Sequence, residues 1–550
     1  MTFLSVFDNK QKCPPQSCRW LDGAKRTIFF TKQHLKMKNS ILILLFLIVN
    51  IPIYGQKILP VSQRGEVIYH VFQRSFYDSN GDLHGDLNGL RQKLDYLQDL
   101  GVTSILLLPL YDADCYHNYF ANDFDKIDAE FGTMKDYLAL VKEIHKRGMK
   151  IHLDMETQYV TEKHLWWKDA VGNLKSPYSD YILFDDAAHT TPSTMVFGLR
   201  ELSSYDGSKI KVTTVNLKSK GVLDYNTKLF SYFIDPNKDG KFDDGVDGFR
   251  LDHAMDNLDF KPQLTNLFAD FWVPLITNLK KINPKIKIVA EQAEWKDYGF
   301  DYFEKAKVDR MFGFGLQEAI LSFDKQQLIN KADTILRLCP TGKGQLIFIE
   351  NHDMDRFASL EKNTEKQKVA AAIQLLIGGI PSIYYGQEIG MQGKNNLYPP
   401  TDGNSIPCRE TFEWSAVGEG SGMALWYKNT GDWWKNTNIK PNDGISVEEQ
   451  IADSKSLFNY YKKLIRLRQN HAALSNGQYI NVENDNKNVF SFLRMYGKNK
   501  VLVAVNLSDT AQQPVFQEGF KQYIPLLGNN TVSEKTMDLK PYEVVAWEVK

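Results

Sequence analysis

Gly248-Phe249-Arg250-Leu251-Asp252, Ile286-Lys287-Ile288-Val289-Ala290-Glu291 and Leu346-Ile347-Phe348-Ile349-Glu350-Asn351-His352-Asp353 are three largely apolar runs, each closed by a carboxylate. Near-continuous apolar runs of this length mark strands of a parallel sheet covered on both faces. The chain alternates around them. Residues 67–72 and 105–108 read as strands, and 90–100 between them has apolar residues at helical spacing. Residues 138–145 read as a helix stopped at Gly148, followed by a third strand over 150–154. After a break, strands recur near Val246, Ile286, Met311, Leu346 and Ile383, making eight. The alternation predicts an α/β fold, a (β/α)8 TIM barrel.

The break is 155–225, rich in Ser, Thr, Asp, Gly and aromatic residues and without a clear helix. It is expected to be a subdomain inserted after strand 3, leaving 56–154 and 226–475 as the barrel. Short alternating runs at 489–493 and 501–505, joined by a turn containing Gly497, predict an all-β sandwich domain over 476–550. Near the start, an apolar run over 41–49 follows Met37-Lys38-Asn39. It is too short to span a bilayer and fits a signal peptide over 37–55, cut before Gln56; a buried helix is the alternative. Residues 1–36 then read as an upstream extension or a mis-set start. Gln56 in place of Cys gives no lipid-anchor site, so no stable membrane anchor is expected, and the destination is periplasmic or extracellular.

The whole chain of 550 residues carries 66 basic and 67 acidic side chains. Removing 1–55 takes away eight basic and two acidic residues and leaves 58 against 65. A mildly acidic surface argues against nucleic acid as a partner. Cys115, Cys339 and Cys408 beyond the cut are too few and odd in number for a disulfide framework. Apolar residues make up 43% and aromatic residues 12%, enough for a large core and suited to stacking on sugars.

Carboxylates at barrel strand ends lie on the C-terminal face, where such folds place their chemistry. Two carboxyl groups flanking one bond is the arrangement that cleaves glycosides. Arg250 shares a strand face with Asp252, since side chains alternate, and a guanidinium there keeps Asp252 ionised. An ion pair serving stability alone is the alternative.

Further motifs fall in a fixed order: Gly85-Asp86-Leu87-Asn88-Gly89-Leu90, Leu94-Asp95-Tyr96-Leu97, Phe131-Gly132-Thr133, Gly245-Val246-Asp247-Gly248 before Phe249, Asn351-His352-Asp353 and Tyr384-Tyr385-Gly386-Gln387-Glu388-Ile389-Gly390-Met391. In this series the chain resembles the α-amylase family, glycoside hydrolase family 13, over 60–550. The resemblance implies Asp252 as nucleophile, Glu291 as general acid/base and Asp353 as the third carboxylate holding a distorted sugar. It implies Tyr119 as a stacking residue and His352 as a sugar ligand; Arg250, His253 and Arg356 are counted with the substrate-binding residues. The implied substrate is an α-1,4-linked glucan or malto-oligosaccharide, with no organic cofactor. An exo-acting α-glucosidase, a cyclodextrin-degrading hydrolase or a transglycosylase shares the same triad, and a non-catalytic scaffold is the rival of a different class.

The chain departs from the family pattern after strand 3. Asp154-Met155-Glu156-Thr157-Gln158-Tyr159 puts Gln158 where the family has an Asn that commonly binds calcium, and Tyr159 where it has a sugar-contacting His. Tyr159 is expected against the sugar, the alternative being packing of the subdomain on the barrel. Phe120 stands where the family often has Asp. Two loops alternate oxygen-bearing residues as an EF-hand does: Asp78, Asn80, Asp82 and Asp86, and Asp235, Asn237, Asp239 and Asp243. Structural Ca2+ is expected there, against the alternative of hydrated acidic turns.

Overall fold

The computed structural model describes residues 65–292, 295, 297–395, 401–530, 532–533 and 535–550. The expected signal segment and upstream extension lie outside them. Among the described residues no helix is long and apolar enough to cross a membrane.

Eight parallel strands close into a barrel: β1 (Ile68–Val71), β2 (Ser104–Leu107), β3 (Lys150–Met155), β4 (Gly248–Leu251), β5 (Lys287–Ala290), β6 (Arg310–Phe312), β7 (Gly344–Ile347) and β8 (Ile380–Tyr384). Each pairs with its neighbours in sequence, and β8 closes back on β1. Alternation of side chains sorts the strands into two cores. Ile68, Leu106, Val289, Phe312, Leu346 and Phe348 fill the barrel's interior as one cluster. Tyr69, Ile105, Phe249, Leu251, Ile288, Ala290 and Ile347 face outward into the larger core shared with the helices. The helix Met134–Lys146 begins in a Thr133/Asp136 capping box, and the helix Leu94–Leu100 ends at Gly101, whose φ of 103° only glycine adopts without strain.

The insertion after β3 differs from its expectation in three ways. It contains a short helix, Leu165–Ala170. Its sheet runs Tyr111–Ala113, Ala121–Ile127, Tyr159–Thr161, Lys209–Thr214, Glu201–Ser203, so the loop after β2 supplies two of the five strands. The helix leading back to the barrel spans Lys220–Ile234 and starts earlier than 226. The C-terminal domain is all β: β9 (Gln478–Asn481), β10 (Val489–Tyr496), β11 (Asn499–Asn506), β12 (Tyr523–Leu527) and β13 (Val544–Val549) form an antiparallel sheet in the order β9-β10-β11-β13-β12. One face, with Phe490, Phe492, Val501, Val503 and Val505, joins the main core. The other, with Leu493, Leu502, Val545 and Trp547, packs under Phe516, Met537 and Leu539.

Candidate active site

Register places the charged groups at the barrel mouth. Asp154 on β3 pairs directly with Arg250 on β4, and the amides of Asp252 and Glu291 continue the ladder to Met155 and Leu251. Arg250, 1% exposed, is the hub. Its Nη1 donates to Asp154 Oδ2 at 2.5 Å and to Asp252 Oδ1 at 2.6 Å, and its Nη2 to Glu291 Oε2 at 2.7 Å. Three acids on one guanidinium leave net negative charge, which a buried site tolerates only if a proton is retained.

The protons divide unevenly. Burial raises Asp252, and Arg250 together with a hydrogen bond from Glu156 outweighs it, so Asp252 ends below the ordinary carboxylate range. Burial raises Glu291 too; there Asp252 and Asp353 add to it against Arg250, and Glu291 ends well above. Asp154 is pushed up to about 6, by burial first, with Arg250 opposing. Asp353 is lowered: burial opposes, but His352 and Arg409 prevail. His352 Nε2 lies 2.9 Å from Asp353 Oδ2, and Arg409 Nη2 donates to Oδ1 at 2.9 Å. Asp353 is the most open of the three carboxylates, its side chain 32% exposed.

Asp252, Glu291 and Asp353 line one cleft of about 1120 Å3 together with Tyr119, Tyr159, His253 and His352. Tyr119 stacks on His352 with ring centres 5.5 Å apart and donates to Asp154 Oδ2 at 2.7 Å. Tyr159 reaches the cleft wall, but its hydroxyl donates to Asp259, 2.9 Å from each carboxylate oxygen. Its ring packs edge-on against Phe120 and His253. Gln158 is fully engaged: its Nε2 donates to the Asp252 carbonyl and its Oε1 accepts from the Thr157 amide.

Arg356 does not belong with the sugar-contacting residues. It is wholly buried behind the cleft, donates to Glu350 Oε1 and the Tyr385 carbonyl, and lies over the rings of Tyr384 and Tyr385. Glu350, inside the third quoted run, needs a buried cation, and Arg356 supplies it. Conversely, Arg409 had no local signal; it lies in a loop distant in sequence, yet its Nε donates to the His352 carbonyl at 2.8 Å and its Nη1 to Tyr116. Asp154, read only as a strand end, is the acid that Arg250 and Tyr119 share.

The two acidic loops are closed on themselves. Asp78 accepts from the amides of Asn80, Gly81 and Leu83, and Asp86 turns to Ser79 and caps the next helix at Gly89. Asn80 and Asp82 accept from the amides of Asp82 and His84. Asp235 accepts from the amides of Asp239 and Gly240, Asn237 from Asp239, and Asp239 from Lys241. Asp243 presents its carbonyl to His145. Among the described residues no three His, Cys, Asp or Glu side chains gather as a group that could hold a metal ion.

A closed barrel that presents, across one guanidinium at its C-terminal mouth, one carboxyl shifted down and one shifted up has the equipment of a glycoside hydrolase. The family model described as "Alpha amylase, catalytic domain" matches residues 70–477, and "Alpha amylase, C-terminal all-beta domain" matches 479–550. The chain belongs to the α-amylase family, glycoside hydrolase family 13, and is a glycosidase. It is 28% identical over 514 residues to "Alpha-amylase 3" of Dictyoglomus thermophilum, covering 92% of this chain and 97% of that one. It is 28% identical over 510 residues to "Probable oligo-1,6-glucosidase 3" of Bacillus subtilis, covering 81% and 90%. The crystal structure of the α-amylase from H. orenii superposes with a TM-score of 0.73 at 27% identity, covering 88% of this chain and all of that one.

Proposed function

We propose that the protein hydrolyses α-1,4-glucosidic bonds in starch-like glucans or malto-oligosaccharides by double displacement. Asp252 attacks the anomeric carbon while Glu291 gives its proton to the departing oxygen. Glu291 then takes a proton from the water that releases the sugar. Asp353, fixed by His352 and Arg409, steadies the sugar as positive charge develops. The observation that carries this reading is the one Arg250 guanidinium bonded to both Asp252 and Glu291, with the Asp252 carboxyl held below its ordinary range and the Glu291 carboxyl above it. Both carboxyls are bonded to the one Arg250 guanidinium, at 2.6 and 2.7 Å, which holds them close together, as a retaining pair roughly 5–5.5 Å apart requires. That closeness supports retention.

The cleft exceeds the roughly 300–1,000 Å3 of an ordinary small-ligand pocket, and its rim carries exposed Phe197, Phe260 and Trp295. An oligosaccharide fits that volume and those faces. A second reading, an exo-acting α-glucosidase, draws on the oligo-1,6-glucosidases among the relatives. Early product profiles on maltoheptaose, starch, pullulan and isomaltose separate the two. Mixed short maltodextrins from starch support the first; glucose as the only product, or preference for isomaltose, overturns it.

The apolar run at 41–49 supports export, and a mature N-terminus other than Gln56 would remove that assignment. Structural Ca2+ is supported by the sequence of the loops at 78–86 and 235–243 alone. A Tm that falls on chelation and recovers with calcium supports it; an indifferent Tm removes it.

A further inference from the structure

The strand-3 end holds an acid that this mechanism does not use. Glu156, 1% exposed, follows β3 and lines the cleft beside Asp252. Its Oε1 accepts from the Gln158 amide at 2.6 Å, and its carbonyl accepts from the Tyr111 hydroxyl. Its carboxyl lies within hydrogen-bonding reach of the Asp252 carboxyl on the same cleft. An ionised carboxylate has no donor, so two carboxyl groups that hydrogen-bond must hold a proton between them. Arg250 decides which keeps it. The guanidinium contacts Asp154, Asp252 and Glu291, whereas the other titratable groups facing Glu156 are Asp154 on its own strand, Tyr111 and Tyr159. With two acids and two phenols around it, Glu156 is the neutral partner.

We propose that Glu156 is the positioning residue of the nucleophile, a protonated carboxylic acid whose O–H donates to the Asp252 carboxylate. The inference rests on the reading of Asp252 as nucleophile. In the first displacement the Asp252–sugar C–O bond forms as the glycosidic C–O bond breaks, and Glu291 protonates the leaving oxygen. In the second, water adds at the anomeric carbon and gives its proton to Glu291. The ester C–O bond breaks as the water oxygen bonds to the carbon, and its electron pair returns to Asp252. Glu156 keeps its proton throughout, orienting the attacking oxygen and then stabilising the charge that returns to Asp252. Burial and the Asp252 charge both hold the Glu156 carboxyl well above its ordinary range, in keeping with this role.

The sign of the effect is fixed. A neutral donor stabilises ionised Asp252, so losing it raises the pKa of Asp252 and moves the acid limb of kcat/KM to higher pH. A hydrogen bond to a charged group corresponds to a shift of about 1–2 pH units. The test compares Glu156→Met, which has no donor, with Glu156→Gln, whose amide keeps one. Met should move the acid limb upward by about that amount, and Gln should restore it. An acid limb identical in wild type and Glu156→Met, with only a lowered Tm, would mean that Glu156 merely holds Gln158, and the inference falls. Infrared difference spectra of wild type minus Glu156→Gln at neutral pH give a second decision, needed where the Met variant does not fold. A protonated-carboxyl band lost in the variant supports the proposal, and a lost carboxylate band overturns it. Activity surviving in Asp252→Asn would instead strike the nucleophile assignment itself, so the two failures are distinguishable.

Discussion

Replacing Arg250 with Met is the perturbation that reaches furthest into this site. The side chain is 1% exposed and joins Asp154, Asp252 and Glu291 at 2.5–2.7 Å. Removing one partner of a buried ion pair costs about 3–5 kcal/mol, because the remaining charge is left uncompensated. Unfolding entropy of about 2.1 cal/mol/K per residue gives roughly 1 kcal/mol/K for a unit of this size, so the Tm should drop by about 3–5 K near pH 7. The loss should depend on pH. Arg250 opposes burial at Asp252, Asp154 and Glu291 alike, so without it all three folded-state pKa values move up. Groups whose folded pKa lies above the unfolded value, about 3.9 for Asp and 4.3 for Glu, carry no penalty below that value and a growing one as pH rises. The gap between wild type and Arg250→Met should therefore close toward pH 4 and widen toward pH 7. Calorimetry of both proteins across that range is the assay. A gap that stays constant with pH, or no gap at all, would refute the claim that Arg250 sets the ionisation of the cluster.

Arg409→Met should lower kcat/KM by about 10–100-fold, since Asp353 loses a charge-assisted hydrogen bond at 2.9 Å of the kind valued at about 1.5–3 kcal/mol; steady-state kinetics on maltoheptaose check it. Arg356→Met should lower the Tm and leave KM unchanged, because Arg356 touches Glu350 and two tyrosine rings and does not line the cleft; a raised KM with an unchanged Tm would restore it to the substrate-binding set. Tyr159→Phe removes the bond to Asp259 and keeps the ring, so kinetics and Tm measured on one sample separate its two roles. A fall in kcat/KM at constant Tm means that the tie shapes the cleft, and the reverse means packing.

What was legible in the sequence follows from physical constraint. Strands of a barrel are buried on both faces, so β1–β8 stand out as apolar runs, and their terminal acids stand out against them. The strands Tyr111–Ala113 and Ala121–Ile127 do not, because they carry Asp112, Asp123 and Asp125 on half-exposed or exposed positions that interrupt any apolar run. The registry that unites Asp154 with Arg250 is a pairing between β3 and β4, separated in sequence by the whole insertion. Arg409 could not be found by local pattern, since its role depends on a loop folding back over Asp353. Arg356 was misplaced for a related reason: a charged residue beside a catalytic motif reads as a ligand until its buried partner Glu350 is seen. Glu156 was in plain view within the departure from the family pattern, but a single acid between apolar and polar neighbours does not announce which carboxylate it faces.

The central claim is that Asp252 forms a covalent bond to the sugar and Glu291 does not. A slow fluorinated α-glucosyl fluoride, incubated with the enzyme until it is silent, should leave one sugar per chain. Mass spectrometry of the digested protein should place it on the peptide carrying Asp252, attached at that carboxyl. A label on Glu291, or complete turnover with inverted product and no adduct, would contradict the account.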